Sequence, residues 1–258
     1  MSDLKNLSQF QAVTSSRRRE TFRLGIAAIF IVIITIYTGI LSADLSNGHL
    51  LIAAGVIGGY MAMNIGANDV ANNVGPAVGS KTMTLGVAIL IAAIFEAAGA
   101  IIAGGDVVST IKKGIIDPAA IADSSTFIWL MISALLAAAL WLNLATFYGM
   151  PVSTTHSIVG GVLGAGLAAG GFAVANWSKM GSIAASWFIS PVMGGLIAAG
   201  FLMFIKRNIN YKPDRLTAAR RWVPVLIAIM AWAFSTYLIM KGLKKLVKVD
   251  FEMALAIG

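Results

Sequence analysis

The 258-residue chain has no cysteine, two histidines and only 12% charged residues. Each scarcity excludes something. Without cysteine there is no disulfide framework and no thiolate metal site or nucleophile. A soluble domain averages about 25% charged residues, roughly twice what is found here. With 58% of its residues hydrophobic, a chain of this size cannot hide its apolar surface and still present a solvated exterior. The bilayer is the solvent that accepts such a composition. The net charge of +8 is not a nucleic-acid signal, because the Lys and Arg lie in short clusters beside apolar runs, where cytoplasmic loops are expected to carry them.

What is present is a series of apolar segments at about 24–43, 50–79, 82–105, 127–148, 157–175, 181–205 and 222–240. Most are long enough to cross a ~30 Å hydrocarbon layer as helix. Uncharged runs of this length are not the ~10-residue alternating strands of an outer-membrane barrel. The expected fold is an all-α, polytopic membrane helix bundle. Residues 1–23 are polar and carry Arg17, Arg18, Arg19 and Arg23, which reads as a cytoplasmic basic tail ahead of a retained 24–43 span rather than a cleaved signal. Glycines four apart (Gly55/Gly59, Gly75/Gly79, Gly160/Gly164, Gly166/Gly170) suit close helix packing in lipid.

Counting spans from that tail, 206–221 returns to the cytoplasm as a loop with Lys206, Arg207, Lys212, Arg215, Arg220 and Arg221. The two basic clusters agree on sidedness, whether 127–148 and 157–175 are full spans or a re-entrant hairpin. Lys241, Lys244, Lys245 and Lys248 disagree, since they would follow a seventh span on the outside. Residues 222–258 hold a further membrane segment and the start of another, as in a fragment of a longer protein.

Three polar features interrupt the apolar background. Asn64, Asn68 and Asn72 are spaced i, i+4, i+8, with Asp69 and Asn73 on the adjacent stripe. On a regular helix each set shares one face. An Asp near mid-span costs about 3 kcal/mol on insertion scales, so it is usually functional. Gly66, Gly75 and Pro76 are points where the helix can unwind and free its carbonyls. Carbonyls, a carboxylate and amide oxygens are the hard ligands an alkali cation needs, and broken helices are where secondary transporters place ions and substrate. The second feature is Pro151-Val-Ser-Thr-Thr-His156, three hydroxyls after a proline at a helix start. A helix N-terminus with hydroxyls binds an oxyanion without a permanent positive charge; its plainer reading is an ordinary N-cap. The third is Glu96, alone in an apolar span, expected to face the bundle interior or water and to bind a cation or titrate.

Gly-Ala-Asn-Asp-Val-Ala-Asn at 66–72 and Pro-Val-Ser-Thr-Thr-His at 151–156 resemble the signature of the inorganic phosphate transporter (PiT) family, and Ile94-Phe-Glu96, Ile111–Asp117 and Ile158-Val-Gly160 support it in order. The resemblance implies an inverted-repeat secondary transporter with broken or re-entrant helices that carries phosphate in symport with Na⁺ or H⁺. It implies phosphate contacts from Ser153, Thr154, Thr155 and Asn72. It also implies a coupling-cation site from Asn68, Asp69 and Glu96, with Na⁺ at Asn68 and Asp69 and no other metal or cofactor. Sulfate or a metal-phosphate complex is the alternative cargo. An intramembrane hydrolase using Ser153, His156 and Asp69 is a distant one, so an enzyme is not expected. The family has two repeats, each with both motifs, whereas one copy of each stands here. Residues 50–205 therefore read as the first repeat, with 24–43 as an added helix. The expected partners are phosphate, membrane lipid and the second repeat, or an inverted copy in a homodimer; no nucleic acid is expected. The expected location is a bacterial inner membrane.

Overall fold

The computed structural model describes the backbone of residues 2–121, 123–242 and 250–257; the side chains of 2–19, 103, 106, 107, 109, 110, 112, 113, 241 and 242 lie outside the description. Arg17–Arg19, Lys112, Lys113 and the run Lys241–Lys248 thus fall outside the described side chains. Among the described residues, nine α-helices run in order: α1 (Ser2–Leu41), α2 (Gly48–Ile65), α3 (Ala71–Gly79), α4 (Leu85–Gly114), α5 (Ser124–Phe147), α6 (Thr154–Gly170), α7 (Trp177–Ile205), α8 (Arg215–Gly242) and α9 (Phe251–Ile257). Six helical stretches among these residues are long and apolar enough to cross a membrane. Large side chains such as Ile101 and Phe188 lie 84% and 75% exposed on them, which is stable only where lipid is the solvent.

Three local expectations change. No unwound break occurs at Gly66. A five-residue π turn, Gly66–Val70, joins α2 to α3, so residues 48–79 form one continuous helical path. The extra residue in a π turn rotates the helix downstream of it, and the asparagines do not share a face: Asn64 and Asn68 are buried while Asn72 is exposed. The 206–221 segment is mostly helix, with a π turn over Lys206–Asn210 and α8 starting at Arg215. The 157–175 segment becomes α6, whose 17 residues rise only ~26 Å.

The chain divides into two compact units. The first comprises residues 1–90 and 116–175, and the second 91–115 and 176–258, so the linear block 50–205 is shared between them. In the first unit α1 packs on α2, α2 on α5, and α5 on α6. Small residues set these approaches. A Cβ on Gly161 would stand 2.7 Å from the Ala134 backbone oxygen of α5, and one on Gly59 would stand 2.6 Å from Ile34 of α1. Gly55, Gly166 and Gly170 are similarly filled by Thr38, Ile116 and Val174, whereas Gly75, Gly79, Gly160 and Gly164 meet nothing. Two of the four glycine pairs are therefore packing faces. Met61, Ala138, Ala139 and Leu142 form the buried centre, with Tyr60, Ile65, Val152 and Ile158 against it. In the second unit α8 is joined to α9 by a hydrogen bond from Trp232 Nε1 to the Leu255 carbonyl, 2.9 Å.

Candidate functional site

The site lies in the first unit, where the π turn meets the connection between α5 and α6. That connection is a stop followed by a start. Gly149 takes φ +67°, its N–H bonds the Thr146 carbonyl at 3.0 Å, and the Met150 N–H bonds the Ala145 carbonyl at 2.8 Å. This pairing is the glycine-closed helix end known as a Schellman motif. Pro151 then prevents any continuation. Ser153 caps α6, its Oγ accepting from the His156 N–H at 3.3 Å. The plainer reading of Ser153 as an N-cap thus holds, and its hydroxyl proton remains a donor at the mouth of the helix.

Asn68 fastens the π turn to this connection. Its Nδ2 donates to Thr146 Oγ1 and to the Met150 carbonyl, both at 3.1 Å, and its Oδ1 accepts from the Val152 N–H at 3.2 Å. Both amide protons are engaged, so only a remaining oxygen lone pair can face a cation. One turn earlier, Asn64 Oδ1 accepts from Asn143 Nδ2 at 3.0 Å, and Asn64 Nδ2 donates to the Tyr60 carbonyl at 2.9 Å. Asn143 and Thr146 of α5 are the residues sequence reasoning missed. Two polar side chains three apart in an apolar span were the available signal.

Asp69 is half-buried, and its Oδ2 accepts from Thr154 Oγ1 at 2.8 Å. This bond brings the acid of the first motif to the first residue of α6. The α6 N-terminus is electropositive, because its first-turn N–H groups have no intrahelical partner. A carboxylate beside it is therefore stabilised, and the same field attracts any other anion. Ser153 and Thr155 are exposed there, and Asn72 is exposed on α3. Glu96 stands on α4 in the second unit and is exposed. Asn68, Asp69, Ser153 and Thr154 thus meet in one place.

The triad geometry a hydrolase needs is not assembled: Ser153 Oγ holds the backbone, not the imidazole, of His156, and the Asp69 carboxylate takes a threonine hydroxyl. The fold and site define a polytopic α-helical membrane protein with a polar cluster set inside apolar helices. Residues 65–258 match the model of the phosphate transporter family, and the chain belongs to that family. It is 53% identical over 256 residues to a Helicobacter pylori (strain J99) protein named "Putative phosphate permease", covering 99% of this chain and 48% of that one. A Chlamydia trachomatis protein with the same name is 46% identical over 195 residues, covering 75% and 46%. The solved structure titled "The sodium-dependent phosphate transporter" matches with a TM-score of 0.74 and 36% identity, over 81% of this chain and 51% of that one. The chain thus spans about half the length of the relatives it matches. These relatives are permeases and transporters by name, not enzymes, and the bacterial ones fit a plasma-membrane location.

Proposed function

We propose that the chain supplies one half of a cation-coupled phosphate symporter. The observation that carries this reading is the hydrogen bond between Asp69 and Thr154. It places a negative charge at the helix N-terminus where phosphate would otherwise sit. Two unit charges ~6 Å apart repel by roughly 3 kcal/mol at an effective dielectric constant near 20. A cation bound at Asp69 removes that repulsion and turns the α6 N-terminus into an anion site. Ser153, Thr154, Thr155 and Asn72 then contact phosphate, while Asp69, Asn68 and Glu96 serve the cation. Na⁺ is favoured over H⁺ by the sodium-dependent neighbour. Sulfate or a metal-phosphate complex would meet the same donors.

The opposing wall of the site is proposed to come from the rest of a protein twice this length, or from an inverted second copy. Uptake into proteoliposomes tests both points. Ser153→Ala with Thr154→Val in the whole transporter should weaken phosphate uptake by roughly 10- to 100-fold, the scale of one lost hydrogen bond to a charged group. Normal uptake in that variant would overturn the reading. Residues 1–258 alone should accumulate no phosphate, and co-expression with the remaining half should restore accumulation.

A further inference from the structure

The second unit carries its own polar feature, at the hairpin between α7 and α8. From Lys206 to Arg221 there are six basic side chains and one acid, Asp214. Asp214 is occupied as the cap of α8, its Oδ1 accepting from the Thr217 N–H at 3.1 Å. Hydrogen bonds from the Thr217 side chain and backbone hold its carboxyl below its ordinary value. The basic side chains therefore face an anion with a single, already engaged, acid among them.

Two openings adjoin one another here. A cavity of about 860 Å³ lies at the π turn that ends α7, lined by Lys206, Arg207, Asn208 and Tyr211 over Met203 and Phe204. A second, of about 310 Å³, is an apolar groove formed by Ile197, Gly200, Phe201 and Phe204 of α7 with Leu226 and Ile229 of α8. Phe204 lines both. It packs edge-on against Trp222, ring centroids 4.9 Å apart, and Arg221 lies 5.6 Å from the Trp222 centroid. Both helices are membrane spans that end at this turn, and Trp, Tyr, Lys and Arg at such an end sit at headgroup level. The groove is open at Gly200, where an added Cβ would meet nothing within 4 Å.

A basic chamber at headgroup depth that continues into an apolar channel has the chemistry of a phospholipid. Free phosphate would use the chamber and gain nothing from the groove. We propose that the α7–α8 hairpin binds an anionic phospholipid, its headgroup phosphate against Lys206 and Arg207 and one acyl chain along the groove past Gly200. The site is separate from the Asp69 cluster and does not depend on the transport reading.

Native mass spectrometry of the purified chain tests it, with phosphatidylglycerol and phosphatidylcholine of identical acyl chains as probes. The wild type should retain phosphatidylglycerol with a preference of roughly tenfold or more, the scale expected of two basic side chains near an anionic surface. Lys206→Gln with Arg207→Gln should abolish the preference, and Arg207→Lys, which keeps the charge, should preserve it. Gly200→Leu fills the groove without touching the charges and should weaken retention of both lipids. Equal retention of the two lipids by the wild type would overturn the proposal, as would full preference in the double variant. Displacement by millimolar inorganic phosphate together with unaltered retention by Gly200→Leu would equally overturn it, assigning the chamber to a free anion.

Discussion

Thr154 donates its hydroxyl proton to Asp69 across 85 residues of sequence, at 2.8 Å. A hydroxyl has one proton, so while this bond stands Thr154 can only accept from a second ligand. The two residues are thus expected to act as a unit.

In the whole transporter, Asp69→Asn should abolish the Na⁺ dependence of uptake while leaving the protein inserted and folded. Thr154→Val should raise the phosphate KM, and adding it to Asp69→Asn should cost far less than the two single effects combined. A coupling of about 0.5–3 kcal/mol is the usual range for contacting residues. Additive effects, or unchanged Na⁺ and pH dependence in Asp69→Asn, would assign Asp69 a purely structural role.

Asn68 should matter first for stability. Asn68→Ala leaves the Val152 N–H and the Met150 carbonyl without their side-chain partner, and each such buried group costs about 1–3 kcal/mol. Thermal unfolding in detergent should show a clear loss of stability. Asn72→Ala, at an exposed position, should be thermally silent, so that any uptake defect it shows reports on transport alone.

Gly161→Ala and Gly160→Ala differ by one position and should differ in sign. The first drives a methyl into the Ala134 carbonyl of α5, and overpacking of this kind costs about 1–3 kcal/mol. The second points into open space and gains up to ~1 kcal/mol of helix propensity. Thermal melts of the two variants side by side measure the contrast.

The absence of native cysteine makes topology directly testable. Asn47→Cys should react with an impermeant thiol reagent from outside the cell, and Asn210→Cys only after permeabilisation. The reverse pattern would invert the orientation inferred from the basic clusters.

Much of this molecule was legible in its sequence because lipid imposes simple rules. Apolar runs had to be helices, and an Asp in mid-span had to be engaged by something. The Gly149-Met-Pro-Val-Ser153 stretch was readable as a helix end followed by a helix start, and α6 begins at Thr154 as the hydroxyl cluster suggested. The π turn was not readable, since Gly66 marks a weak point without specifying how the backbone yields there. The partners of Asn64 and Asn68 were equally hidden: pairing with Asn143 and Thr146 is a property of α2 lying against α5, which no local pattern encodes. Periodicity therefore placed Asn72 on the face of Asn68, and the structure rotates it away.

That rotation makes the site sensitive to chain length as well as to side-chain identity. Residues 66–70 hold one residue more than a regular helix needs to bridge Asn64 and Asn72. Excising one of them, Ala67 for example, would restore the ordinary repeat and turn everything downstream by ~100° about the helix axis. Asn72 would swing with it, while Asn64 stayed fixed on α5. A single deletion here would thus re-aim a whole helix face that no substitution at Asn72 could reach. The spare residue works as a phase adjuster, setting which side of one continuous rod each half presents.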